Sequence, residues 1–172
     1  MERLVPALKD HFDSLQDRLR CFYELQMQVE GWFKGELLFV LRTVHIAPFD
    51  REARLERGRV DLTVTLDGAT HYVELKHWHI GRQGDAVYSP RFYLLGDEYV
   101  GIVRDLKKLA RVPRTSPKWL LVLMTKNPGP EAWQEGLSAF HHKFGEWKLT
   151  ARTAPETFPS SYFLGLLSCN LT

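Results

Sequence analysis

Arg59-Val60-Asp61-Leu62-Thr63-Val64-Thr65-Leu66-Asp67-Gly68-Ala69-Thr70-His71-Tyr72-Val73-Glu74-Leu75-Lys76 reads as one β-hairpin. Two alternating runs flank Asp67-Gly68, a dipeptide suited to the type I′ turn, whose two central residues need positive φ and whose twist matches the strands. A two-residue loop sets the register. Residue 66 faces 69, so Leu62 faces Val73, Asp61 faces Glu74, Val60 faces Leu75 and Arg59 faces Lys76. Side chains alternate across a strand, so the apolar pairs share one face and Asp61, Glu74 and Lys76 share the other. A slip of one residue would invert both faces.

Carboxylates directly opposite one another across two strands repel or share a proton. A bound cation removes that conflict, and Mg²⁺ needs only one or two carboxylates beside its waters and a substrate phosphate. The competing reading is an exposed polar face on which Arg59 and Lys76 neutralise the acids. Agreement of register, face and residue type favours the site.

These residues resemble the PD-(D/E)XK nuclease superfamily, whose motif is an acid on one strand and Glu-x-Lys on the next. Here the match is Asp61 with Glu74-Leu75-Lys76, and Val60 stands where the name-giving proline would be. The order helix, hairpin strands, helix, strand, helix from about residue 30 to about residue 143 is also similar to that family. The resemblance implies an α/β fold, a restriction-endonuclease-like sandwich with a central mixed β-sheet flanked by helices. It further implies metal-dependent hydrolysis of phosphodiester bonds in DNA, with RNA second. Asp61 and Glu74 would hold Mg²⁺ or Mn²⁺ with the backbone carbonyl of Leu75, and Lys76 would lie beside the attacking water.

An acid on the helix before the hairpin is a further family feature, and Glu36 fits it. Helical spacing puts Glu36 on the stripe of Trp32, Phe33, Leu37 and Val40, facing the core. A buried carboxylate needs a partner, which would be a metal, a basic side chain or a water network. An ion pair with Arg42 or Arg59 is the alternative.

At 172 residues and 44% hydrophobic, the chain suits one domain with a sizeable core, 1–172, carrying an N-terminal helical segment over about 1–29. The formal charge of +2 does not by itself announce nucleic-acid binding, but a global count conceals local patches. From Gly101 through Lys118, six Lys or Arg stand against one acid, Asp105, a local charge of +5. Within it a helix over about 100–111 would present Arg104, Lys107, Lys108 and Arg111, a density able to follow a phosphate backbone. A solvated helix face is the commoner meaning of such a run.

Two cysteines are too sparse for a disulfide scaffold, and residues 1–6 lack the apolar core of a signal peptide, so a cytoplasmic address is expected. No apolar run reaches membrane-spanning length. Gly31 should interrupt or join the first two helical stretches, residues 51–58 should form an edge strand, and Trp119 to Met124 reads as a strand covered on both faces. The irregular segment from Gly81 to Tyr99 is where a substrate loop is expected. His77 and His79 suit strand-end polar surface or phosphate contacts better than a transition-metal site, and no Walker loop or G-x-S-x-G elbow occurs.

A reading from another class is a catalytically idle module of the same fold that binds nucleic acid or scaffolds a partner protein. Cutting both strands of a duplex at one place needs a second active site, which points to a homodimer.

Overall fold

Asp67 and Gly68 adopt φ of 51° and 76°, and the hairpin they close pairs Leu66 with Ala69 and Leu62 with Val73, the register that the turn demands. The computed structural model describes residues 1–43, 48–55, 58–97 and 99–171. Three helices come first: α1 (Val5–Asp13), α2 (Gln16–Glu24) and α3 (Glu30–Thr43). The expected N-terminal helical segment is thus two helices, and α2 gives way to Gln26 at φ 54°. Gly31 lies inside α3 and interrupts nothing.

Next come β1 (Phe49–Arg51), the short pair β2 (Arg54–Leu55) and β3 (Gly58–Arg59), and the hairpin strands β4 (Leu62–Leu66) and β5 (Ala69–Trp78). In place of an edge strand over 51–58, of which residues 56–57 lie outside the described residues, β1 forms one edge of the sheet and pairs antiparallel with β4, while β2 and β3 pair with each other. The segment expected to be irregular contains the hairpin of β6 (Gly81–Gln83) and β7 (Ala86–Tyr88), then α4 (Pro90–Leu95). The chain continues through α5 (Val103–Leu109), β8 (Lys118–Met124), α6 (Pro130–Lys143), β9 (Trp147–Ala151) and β10 (Phe163–Leu171).

Six strands form one mixed sheet in the order β1-β4-β5-β8-β10-β9, with β5 and β8 parallel and the other neighbours antiparallel. The parallel step needs a crossover, supplied by α4 and α5. Every residue of β8 is buried, as its unbroken apolar run requires for a strand covered on both faces. Directly paired residues point the same way, so Glu74, Lys76 and Trp78 share a face with Leu120, Val122 and Met124, and hence with Phe163. On that face Trp78 stacks on Tyr93 of α4 at 5.1 Å, and Phe163 meets Trp133 of α6 edge-on at 5.2 Å. Phe12 and Phe33 join α1 to α3, with ring centroids 5.9 Å apart. Among the described residues no helix is long and apolar enough to cross a membrane.

Candidate active site

The ladder between β4 and β5 stops at Leu62 and Val73 because the chain bends at Asp61. The Val60 N–H, which a continued ladder would give to Leu75, donates to the Ala53 carbonyl instead at 3.1 Å. The Leu75 N–H is taken up by the Asp61 side chain, donating to Oδ2 at 2.9 Å. This bend releases the Leu75 carbonyl from the strand pairing and presses the Asp61 carboxylate against β5. It also carries Arg59 away from Lys76. Arg59 pairs with Arg54 in the β2–β3 ladder and approaches Glu52 at 3.4 Å, so the expected opposition of Arg59 and Lys76 does not form.

Glu74 is completely buried. Its Oε2 accepts from Lys108 Nζ at 2.7 Å, while Oε1 has no hydrogen-bond partner among the described residues. Burial and the neighbouring Asp61 charge push its carboxyl pKa up to about 9, against the opposing pull of Lys108. Lys108 also reaches Asp105 Oδ1 at 3.1 Å. Although burial works against the ammonium, Glu74 and Asp105 raise its pKa. Lys76 Nζ lies 3.1 Å from the other Asp105 oxygen, an ion contact off hydrogen-bond alignment, and 4.0 Å from Glu30 Oε2. Burial, then Asp61 and Asp105, raise the Glu30 pKa, and Lys76 and the His77 backbone N–H pull it down.

The structure therefore gathers Asp61, Glu74 and Lys76 as their pattern requires and adds Glu30, Asp105 and Lys108. Four carboxylates face two ammonium groups, a formal excess of two negative charges if all are ionised.

Glu36 is not part of this cluster. Its Oε2 contacts His11 Nε2 at 2.7 Å and its Oε1 lies 3.7 Å from Arg18, so it ties α3 to α1 and α2. The partners expected for it, Arg42 or Arg59, are replaced by His11 and Arg18 of the N-terminal helices. The acid that α3 brings to the hairpin is Glu30, on the first turn and beside the end of β5. Its signal was the buried stripe of Phe33, Leu37 and Leu41, whose helical spacing extends back to the half-exposed Glu30 as well as it runs beside Glu36. Asp105 also had a signal, as the lone acid in a basic run and three residues before Lys108.

Of the basic residues, Arg104, Lys107 and Arg111 are exposed and Lys108 turns inward to Glu74. They line, with Arg59 and Gly58, a cleft of about 510 Å³. Lys118, counted with the basic run, is instead buried at the start of β8.

His77 is buried, and its pKa is lowered to about 4 by burial and then by His79, so the ring is neutral between Gln28 and Thr125, each 3.4 Å away. His79 stacks on Tyr23 at 5.2 Å. The expectation of strand-end surface fails for both, because β5 runs on to Trp78 under the helices.

Among the described residues no group of three or more His, Cys, Asp or Glu is arranged to hold a metal ion. The carboxylates do not converge, because the two lysines lie between them. The donor chemistry nevertheless fits a hard cation. Glu74 offers a buried oxygen without a partner, Asp61 adjoins it, and the bend at Asp61 releases the Leu75 carbonyl. No protein-family model matches the chain, and neither do any curated protein or solved structure.

Proposed function

We propose that the protein is a metal-dependent nuclease that hydrolyses phosphodiester bonds, with DNA preferred over RNA. The observation that carries this reading is the juxtaposition of Asp61 with the fully buried Glu74, whose Oε1 lacks a partner, two residues before Lys76 on the same strand face. The order α3, antiparallel β1-β4-β5, crossover helices and β8 parallel to β5 adds support for the restriction-endonuclease-like sandwich.

Asp61, Glu74 and the Leu75 carbonyl would hold Mg²⁺ or Mn²⁺, which supplies an activated water and charge stabilisation at the phosphate. Lys76 would stabilise charge developing on the attacked phosphate. Asp105 Oδ2, 3.1 Å from its Nζ, would hold that ammonium in place. Glu30, with its Oε2 4.0 Å from Lys76 Nζ, would take up a proton there. The cationic cleft beside Lys108 would receive the flanking backbone.

One observation favours the competing reading of a catalytically idle binding module: Lys76 and Lys108 already partly neutralise the carboxylates. Incubation with linear duplex, single-stranded and supercoiled DNA and with RNA, with Mg²⁺ or Mn²⁺ and a chelator control, separates the two. Metal-dependent cutting lost in Lys76→Ala supports the nuclease; nucleic-acid binding with no cutting by either protein supports the module.

A further inference from the structure

We infer that Lys108 is an internal latch that makes divalent-cation binding at Asp61 and Glu74 depend on a phosphate group of the substrate seated in the adjacent cationic cleft. This rests on the nuclease reading and concerns the regulation of the same site.

Lys108 belongs to two places at once. Its ammonium lies 2.7 Å from Glu74 Oε2 and 3.1 Å from Asp105 Oδ1, and its side chain also lines the cleft with Arg59, Arg104, Lys107 and Arg111. On Glu74 it stands as a built-in cation where a metal would need the carboxylate, and two positive charges cannot share that oxygen without repulsion. The consequences of its departure are unequal. Asp105 keeps Lys76 at 3.1 Å, so its charge stays compensated. Glu74 is fully buried and is left beside the Asp61 carboxylate with its Oε1 already unpartnered among the described residues, so it must take up a proton or an incoming cation to restore balance.

An anionic group in the cleft, a backbone phosphodiester of the substrate or the more highly charged sulfate used as its probe, favours the conformer in which Lys108 turns out toward it. A ligand shifts such an equilibrium by its differential affinity for the two states, and the coupling is reciprocal. Phosphate in the cleft therefore strengthens cation binding, and cation binding strengthens phosphate binding. The free protein binds metal weakly and becomes competent when substrate arrives.

The test is Mn²⁺ binding by the full chain, followed by the electron paramagnetic resonance signal of free Mn²⁺. It is run in sodium chloride and in sodium sulfate at matched ionic strength, with sulfate as the tetrahedral dianion. Wild type should bind Mn²⁺ roughly tenfold more tightly in sulfate, within the usual range of coupling between sites. Lys108→Met should bind as tightly in chloride as wild type does in sulfate and should lose the sulfate response. Arg104→Ala should weaken that response. Lys108→Gln, which keeps a neutral donor to Glu74, repeats the comparison if the methionine variant does not fold. Mn²⁺ binding by Lys108→Met no tighter than wild type in chloride, or an undiminished sulfate response, overturns the latch and leaves the nuclease reading standing. Absence of Mn²⁺ binding by all proteins in both salts overturns both.

Discussion

Helix α3 carries two acids six positions apart, and they meet opposite fates. Glu36 is held by His11 and Arg18 in a partly exposed pocket between helices, one carboxylate against two basic groups. Glu30 joins Asp61, Glu74 and Asp105, where carboxylates outnumber ammonium groups and one buried oxygen lacks any partner. The first arrangement is complete as it stands, and an ion pair of that kind contributes modestly to stability. The second sets the fully buried Glu74 among an excess of carboxylates, with Asp105 buried beside it and Asp61 and the half-exposed Glu30 nearer solvent. The burial of Glu74 beside Asp61 raises its pKa. Under the proposed nuclease function, Glu36 holds the fold together and the Glu74 cluster carries the chemistry.

Substitutions can break that contrast directly. Lys76→Ala and Glu74→Gln should each lower metal-dependent cleavage by ~10²-fold or more, the usual effect of losing a key electrostatic group. Glu36→Gln should leave the cleavage rate within about twofold of wild type, and single-turnover rates on the preferred substrate compare the three. An equal loss in Glu36→Gln would erase the distinction drawn between the two acids.

Stability against pH sharpens it. The Glu74 pKa is raised from the ordinary 4.5 to about 9, so the metal-free fold favours the protonated acid. That contribution is full below about pH 4.5 and is lost as pH rises through about 9. The loss has a slope of at most about 1.4 kcal/mol per pH unit. In chelator, Glu74→Gln should therefore gain on wild type in denaturant melts as pH rises from 6 to 9, on the order of 1 kcal/mol or more. His77 acts in the opposite direction: its lowered pKa gives stability that is full above about 6.5 and lost as pH falls toward about 4.

Smaller effects belong to the periphery. Arg104→Ala should weaken nucleic-acid binding evenly across sequences and reduce the slope of log affinity against log salt by about 0.7–0.9, read from fluorescence anisotropy at several salt concentrations. Glu36→Gln should cost about 1 kcal/mol of stability in a urea melt, from the weakened contact with His11 and the lost ion pair to Arg18.

Where the sequence carried a local physical code, it was readable. Asp67-Gly68 specifies its turn and the turn specifies the register down to Leu62 and Val73, beyond which the bend at Asp61, not the pairing, sets the carboxylate against β5; the apolar run of β8 likewise announces a central strand. What escaped depended on distant parts of the chain. The bend at Asp61 arises because Val60 bonds Ala53, a contact that no alternation pattern encodes, and it removes Arg59 from Lys76. The α3 stripe passes through both Glu30 and Glu36, and only the docking of α1 and α2 decides which acid they neutralise. Lys108 read as one of several surface cations, because seven-residue α5 reveals its inward face only once it is packed on β5.

The central claim is that Asp61 and Glu74 form a divalent-cation site at the heart of a hydrolytic centre. Thermal unfolding of wild type, Asp61→Asn and Glu36→Gln with and without saturating Mn²⁺, in sulfate buffer, tests it most directly. The account expects Mn²⁺ to raise the melting temperature of wild type and Glu36→Gln alike and to leave that of Asp61→Asn unchanged. Equal stabilisation of all three proteins, or of none, would contradict it.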